Sequence, residues 1–334
     1  MRCMKKVLLA ALALFIATAA FAGTAKTFRA TYTATINGIP EGTKEVIVWV
    51  PLPASKGPQA VRDLAIDSPY EWVRHRDAIY GNEYAVAKIA NPPQDLNVPV
   101  RFTAVRQEAE FGHPYDTKAT ARDRERELAA NKLVTLSPRV RKLAEELTAG
   151  KKGTVEQARA IYDYLVVTMK YDKTIPGWGK GDTERACDIK AGNCTDFHSL
   201  FISLARAKGI PARFVIGFPL TAKDGLVKGY HCWAEFWDGK GWIPVDASEA
   251  SKSSDPKVRA FLFGNLDADR VQFTMGRDLV LKPKTSEPLN YFIYPHAEVG
   301  GQPVGAPSIE LKFEEIHKTA LSGGQALLPV LTSR

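Results

Sequence analysis

The chain has 334 residues, a formal net charge of +8 at pH 7 and four cysteines, which is long enough for two domains with packed cores. Its basic groups are interspersed with acids, as in Arg122-Asp123-Arg124-Glu125-Arg126-Glu127, so a solvated helix face is expected and a nucleic-acid patch is not. The sequence contains no internal repeat and no phosphate-binding glycine loop.

Met1 to Ala22 combines a basic start (Arg2, Lys5, Lys6), an apolar run from Val7 to Ile16 and a small-residue site at Ala20-Phe21-Ala22. This pattern predicts a secretory signal peptide cleaved after Ala22, with an apolar core too short to span a membrane. Cys3 precedes the apolar run, so it is not the lipid-bearing cysteine of a lipoprotein. The mature chain is expected to be exported, periplasmic, without stable membrane insertion, and reduced in charge to +5.

Residues 23–110 read as an antiparallel β-sandwich domain. Phe28 to Ile36, Glu45 to Pro51, Glu83 to Ile89 and Val98 to Val105 have strand patterns, separated by Asn37-Gly38, Gly81-Asn82 and the prolines near 92. Asp123 to Thr148 is charged and helical, broken at Ser137-Pro138, where proline suits the first position of a new helix. Thr154 to Lys170 predicts another helix, with Val155, Ala158, Ile161, Tyr162 and Leu165 on one face.

The chemistry concentrates in the next hundred residues. Gly192-Asn193-Cys194 runs into Phe197, Leu200, Phe201 and Leu204, a helical period that ends at Gly209 and Pro211. A cysteine at a helix start meets free N–H groups and the positive end of the dipole, which favour the thiolate. Tyr230-His231-Cys232-Trp233-Ala234-Glu235-Phe236-Trp237 then places a histidine on a strand, and Trp242-Ile243-Pro244-Val245-Asp246 places a carboxylate on the next. A two-residue turn at Asp238-Gly239 would set His231 directly opposite Asp246. A longer loop through Gly241 would make them diagonal neighbours on the same face. Either register supplies a nucleophile, a base and an orienting carboxylate.

These segments, with Gly209-Ile210-Pro211-Ala212-Arg213, resemble the core of bacterial transglutaminase-like proteins over roughly residues 155 to 250. The resemblance implies an α+β chain with a papain-like transglutaminase-core domain and a catalytic triad of Cys194, His231 and Asp246. It implies acyl transfer from a peptide or glutamine-type amide through a thioester, with a protein or peptide substrate and no cofactor. Asp188 lies where papain-like enzymes carry an oxyanion-stabilising glutamine; Trp178 and Trp233 are the candidate oxyanion or substrate residues. An exported binding protein that kept this fold and lost turnover is the alternative.

Cys187, Cys194 and Cys232 remain in the mature chain, an odd count that suggests one pair and one free thiol in an oxidising compartment. Cys187 and Cys232 are the candidate disulfide, leaving Cys194 free; the alternative is two buried, unreactive thiols. No metal site is expected, because His231 and Cys232 are adjacent on a strand and point apart, and there is no Cys-x-x-Cys pair. After Asp246, Val271 to Thr274, Asp278 to Leu281 and Asn290 to Tyr294 are expected to complete the catalytic sheet of a domain covering 111–300. Residues 301–334 are assigned to a C-terminal tail, with a strand-like alternation at Ile309, Leu311 and Phe313 and a mobile end.

Overall fold

Alternation of buried and exposed side chains makes β1 (Ala25–Asn37) the long strand on which the first sheet is built, with Phe28, Ala30, Tyr32, Ala34 and Ile36 turned inward. The computed structural model describes residues 25–317. The predicted signal peptide and the segment around Gly323-Gly324 lie outside the described residues.

The remaining N-terminal strands are β2 (Glu45–Pro51), β3 (Gln59–Ile66), β4 (Val73–Arg76), β5 (Glu83–Ala90) and β6 (Leu96–Gln107). Helices α1 (Ala121–Arg126), α2 (Pro138–Thr148) and α3 (Thr154–Thr168) follow, then β7 (Lys170–Tyr171), α4 (Thr183–Ile189), β8 (Ala191–Gly192) and α5 (Cys194–Ala207). The chain continues through β9 (Ala212–Pro219), β10 (Leu226–Val227), β11 (His231–Trp237), β12 (Trp242–Val245), α6 (Ala247–Lys252) and α7 (Pro256–Phe261). It ends in β13 (Arg270–Met275), β14 (His296–Val299), β15 (Gln302–Pro303) and β16 (Ala306–Glu315).

Two five-stranded sheets form the sandwich, in the orders β10-β16-β1-β6-β3 and β15-β14-β2-β5-β4. Val46, Val48 and Val50 of β2 and Ala85, Ala87 and Ile89 of β5 share one core with the inward residues of β1 and β6. A four-stranded antiparallel sheet, β12-β11-β9-β13, carries the helical region, with α5 packed against it. The fold is α+β, as expected.

Three local expectations change. The charged segment from 123 is helical only through Arg126; α2 starts afresh at Pro138, capped by the Ser137 hydroxyl accepting from the Val140 N–H. Strands β3 and β4 have no apolar alternation to signal them, and β3 is interrupted by a register shift between Arg62 and Ala65. Of the segments after Asp246, only β13 joins the sheet that carries His231. Asp278 to Leu281 contributes a single bridge, Leu279 to Leu289, and Asn290 to Tyr294 forms no strand. Its carbonyls instead serve side chains, Ile293 accepting from the Tyr32 hydroxyl at 2.8 Å. The assigned tail holds β16, which pairs with β1 along its length, while β14 pairs with β2.

The sandwich docks on β13 and β9. The Gln59 amide receives the Gln272 N–H at 2.7 Å and donates to the Gln272 carbonyl at 2.8 Å, completing a strand-like pair with a side chain. Tyr32 packs against Phe218 and Phe273 with ring centroids 5.7 and 5.0 Å away. Among the described residues no helix is long and apolar enough to cross a membrane.

Candidate active site

The start of α5 is fixed from three directions. The Asn193 side chain accepts from the Thr195 N–H while the Asp196 carboxylate accepts from the Asn193 N–H, a reciprocal cap. Asp196 also accepts from the Gly179 and Gly181 N–H groups at 2.7 and 3.1 Å, tying the loop that carries Trp178 to the helix. Tyr171 of β7 pairs with Gly192 of β8, which leads into Cys194. Gly192 must be glycine, because an added Cβ would stand 2.2 Å from an Asp196 carboxylate oxygen. Cys194 is therefore the first residue of a rigidly capped helix, 1% exposed.

The histidine and aspartate come from the β11–β12 hairpin. Trp237 pairs with Trp242, so the connection is the longer loop through Gly241, with the Asp238 carboxylate accepting from the Lys240 and Gly241 N–H groups. Asp246 continues the register opposite Trp233 and reaches His231 diagonally. Its Oδ2 lies 2.7 Å from His231 Nε2 and 3.1 Å from Arg270 Nη1, while Oδ1 accepts from the Glu249 N–H at 3.1 Å. The carboxylate thus holds the imidazole and caps α6 at once. With Nε2 engaged, Nδ1 is the nitrogen left to serve a thiol.

The charges of the three groups are linked. Burial alone would raise the Asp246 carboxyl, but His231, Arg270 and His198 outweigh it and hold it well below the usual carboxylate range. Burial would lower His231, yet Asp246 and Cys194 raise it to about 10. Burial would raise the Cys194 thiol, and hydrogen bonding with Cys232 and His231 together with the nearby imidazoles holds it well below the usual thiol range. An imidazolium beside a thiolate is the resting state these shifts favour, and it is the form suited to nucleophilic attack on a carbonyl.

A groove of about 710 Å³ opens on the His231 side, lined by Glu249, Lys252, Val258, Phe261 and Arg270 among others. Glu249 stands 3.8 Å from His231 Nδ1 and 2.6 Å from Lys252, whose ammonium lies 3.8 Å from the centre of the Tyr171 ring.

Several expected site residues stand elsewhere. The Cys187–Cys232 bridge is not formed: all three described cysteines are free. Cys232 faces α5, its sulfur 3.8 Å from Thr195 Oγ1 and 3.7 Å from His198 Nδ1, whereas Cys187 lies in α4 with burial pushing its thiol up to about 11. Trp233 is fully buried in a core cluster between Arg106 and Arg270, so it contacts no substrate. Asp188 pairs with Arg139 at the surface and does not oppose an oxyanion. Trp178 is 39% exposed on the loop that Asp196 anchors. Arg270, Glu249, Tyr171 and Tyr230 were not singled out from the sequence. Arg270 lies beyond the motifs with no local signature, while Tyr230, whose hydroxyl bonds Asn193 and Thr195, was visible only as the residue before the histidine.

Residues 141–247 match the Transglutaminase-like superfamily. The chain carries a transglutaminase-like core. Its fold is similar to that in the crystal structure of a candidate cysteine protease from Cytophaga hutchinsonii, at a TM-score of 0.62 and 15% identity, over 88% of this chain and 92% of that one. An uncharacterized protein of Haemophilus influenzae is 28% identical over 327 residues, covering 84% of this chain and 88% of its own length. The uncharacterized protein YebA of Bacillus subtilis is 29% identical over 135 residues, 34% of this chain and 18% of YebA.

Proposed function

We propose that the protein is an exported cysteine-dependent enzyme that opens peptide or glutamine-type amide bonds through a thioester on Cys194. The 2.7 Å contact between Asp246 and His231 Nε2 carries this reading, because it fixes which imidazole nitrogen faces the thiol. The Cys194 thiolate attacks the carbonyl carbon, and the oxyanion is held by the Cys194 backbone N–H and a second donor, for which Trp178 is the candidate. Collapse of the tetrahedral intermediate breaks the carbon–nitrogen bond, and the His231 imidazolium gives its proton to the departing amine. Water, deprotonated by His231, then cleaves the thioester; an amine in its place gives transamidation. Hydrolysis suits an exported enzyme at least as well as cross-linking. Export is supported by the signal-like pattern of residues 1–22, and no step calls for a cofactor.

A binding protein of the same fold without turnover is the second reading, favoured by the near-complete burial of the Cys194 thiol. Iodoacetamide labelling of the unreduced protein across pH, mapped by mass spectrometry with a His231→Ala control, separates the two. Labelling of Cys194 at pH 6 that disappears in the control supports the enzyme and justifies a screen of amide donors. Labelling that rises only near the ordinary thiol value of about 8.5 sinks it.

A further inference from the structure

The groove beside the triad has walls whose chemistry the mechanism above does not use. His231 and Arg270 line it, and Cys194 does not. An imidazolium hands its proton to the departing amine, so the amine half of the substrate lies on the histidine side, in this groove. Helix α7 presents Lys257, Val258 and Phe261 to it, and these share a helix face, Lys257 four and Val258 three residues before Phe261. Val258 is 39% exposed, Phe261 is half-buried and Lys257 is exposed, so the wall is an apolar strip with an ammonium beside it. The groove also carries three carboxylates, each with a cation of its own. Glu249 pairs with Lys252 at 2.6 Å, Asp267 with Arg270 at 2.6 Å and Asp269 with Lys26 at 2.7 Å. Among the described residues no carboxylate pairs with Lys257, so one positive charge in the groove has no match.

We infer that this groove binds the amine half of the substrate and selects a peptide segment with an apolar side chain next to the reacting amide and a carboxylate beyond it. The inference rests on Cys194 being the nucleophile and His231 its base. The apolar side chain covers Val258 and Phe261, and the carboxylate faces Lys257. The same position receives the acceptor in the second half-reaction. There the amine nitrogen bonds to the thioester carbon, neutral His231 takes its proton, and the carbon–sulfur bond breaks to return the Cys194 thiolate beside an imidazolium. An acceptor with a second ammonium, such as a diamine or a lysine-rich segment, meets Lys257 with no unmatched carboxylate to offset it. The groove therefore favours release of acidic peptides over cross-linking to lysine.

The test is acyl partitioning in the full chain. p-Nitrophenyl acetate acetylates Cys194 with release of p-nitrophenolate, and the thioester is offered C-terminally amidated leucyl-glutamate, leucyl-glutamine, leucyl-lysine or glycyl-glutamate. The ratio of acetylated dipeptide to free acetate reads the preference. Leucyl-glutamate should be captured about threefold better than leucyl-glutamine, the size of an exposed charge pair. It should also exceed glycyl-glutamate, and Val258→Ser should narrow that gap. Lys257→Gln, a change at an exposed side chain, should abolish the preference for glutamate, and Lys257→Glu should turn it toward leucyl-lysine. Equal capture of all four dipeptides by the wild type, a glutamate preference that survives Lys257→Gln, or no capture of any dipeptide overturns the inference. Absence of an acetyl group on Cys194 defeats the enzymatic reading and the inference with it, so the mass of that residue tells the two failures apart.

Discussion

Asp246 meets His231 across a diagonal of the β11–β12 hairpin, with 2.7 Å between Oδ2 and Nε2, because the connecting loop runs from Asp238 through Gly241. The same carboxylate binds Arg270 at 3.1 Å and caps α6. Asp246→Asn keeps the shape and removes the charge. His231 should fall from about 10 toward its ordinary value, and acyl transfer should drop by roughly 10⁴-fold, the loss seen when a serine-protease triad carboxylate becomes an amide. Because Arg270 is left with half of its buried pairing, unfolding free energy should fall by about 3–5 kcal/mol. Steady-state kinetics on any amide donor and urea denaturation check the two effects separately.

The ion pair also sets how stability follows pH. His231 is raised in the folded state from an unfolded value of about 6.5 to about 10. Its contribution is thus full below about 6.5 and disappears as pH rises through about 10. Asp246 is depressed, so its contribution is present above about 3.9 and vanishes as pH falls through the folded value. Urea midpoints of wild type and His231→Ala should differ most between these limits and converge above pH 10. A gap that widens toward alkaline pH would contradict the assignment.

Asp196 anchors the surroundings of Cys194 through the N–H groups of Asn193, Gly179 and Gly181. Asp196→Asn removes the charge and one acceptor. With hydrogen bonds to charged groups contributing about 1.5–3 kcal/mol each, a loss of about 2–4 kcal/mol is expected. Amide exchange should accelerate in residues 177–181, and Cys194 labelling should slow. Unaltered exchange in that loop would mean that the anchor is elsewhere.

Gly217 sits opposite His231 on β9, where an added Cβ would lie 1.8 Å from the Val271 carbonyl oxygen. Gly217→Ala forces β13 away from β9 and should lower stability by about 1–3 kcal/mol, the usual range for overpacking. Gly229→Ala is the control, since a Cβ there meets nothing within 4 Å. Thermal unfolding of the pair measures the difference, and equal melting points would refute the steric account.

The grouping of Cys194, His231 and Asp246 was legible because each sits in a local pattern: a capped amphipathic helix start and two alternating strands. The hairpin register stayed open in the sequence since Asp238-Gly239 fits both a tight turn and a four-residue loop, and the side chain of Asp238 decides by capping Lys240 and Gly241. Alternation put Cys232 on the face away from His231 correctly. That face packs against α5, whose first residue is Cys194. Arg270 and Gln59 were invisible for another reason: both act across long sequence separations, Gln59 by bonding a strand 213 positions away. Strands β3 and β4 lacked a signal since neither alternates between a buried and an exposed face: β3 is mostly half-buried and β4 mostly exposed.

The pairing of β16 with β1 means that the two ends of the described chain lie side by side in one sheet, with the transglutaminase-like core spliced between them. A ribosome delivers β1 and β6 first and β16 last, so the edge of β1 stays open until the entire core has been made. Export across a membrane would present the same order on the far side. Any break in the chain before residue 306 therefore leaves a partly built sheet with an unpaired edge, a surface prone to pairing with other chains. Closing the sheet registers that the core between β6 and β16 has been made.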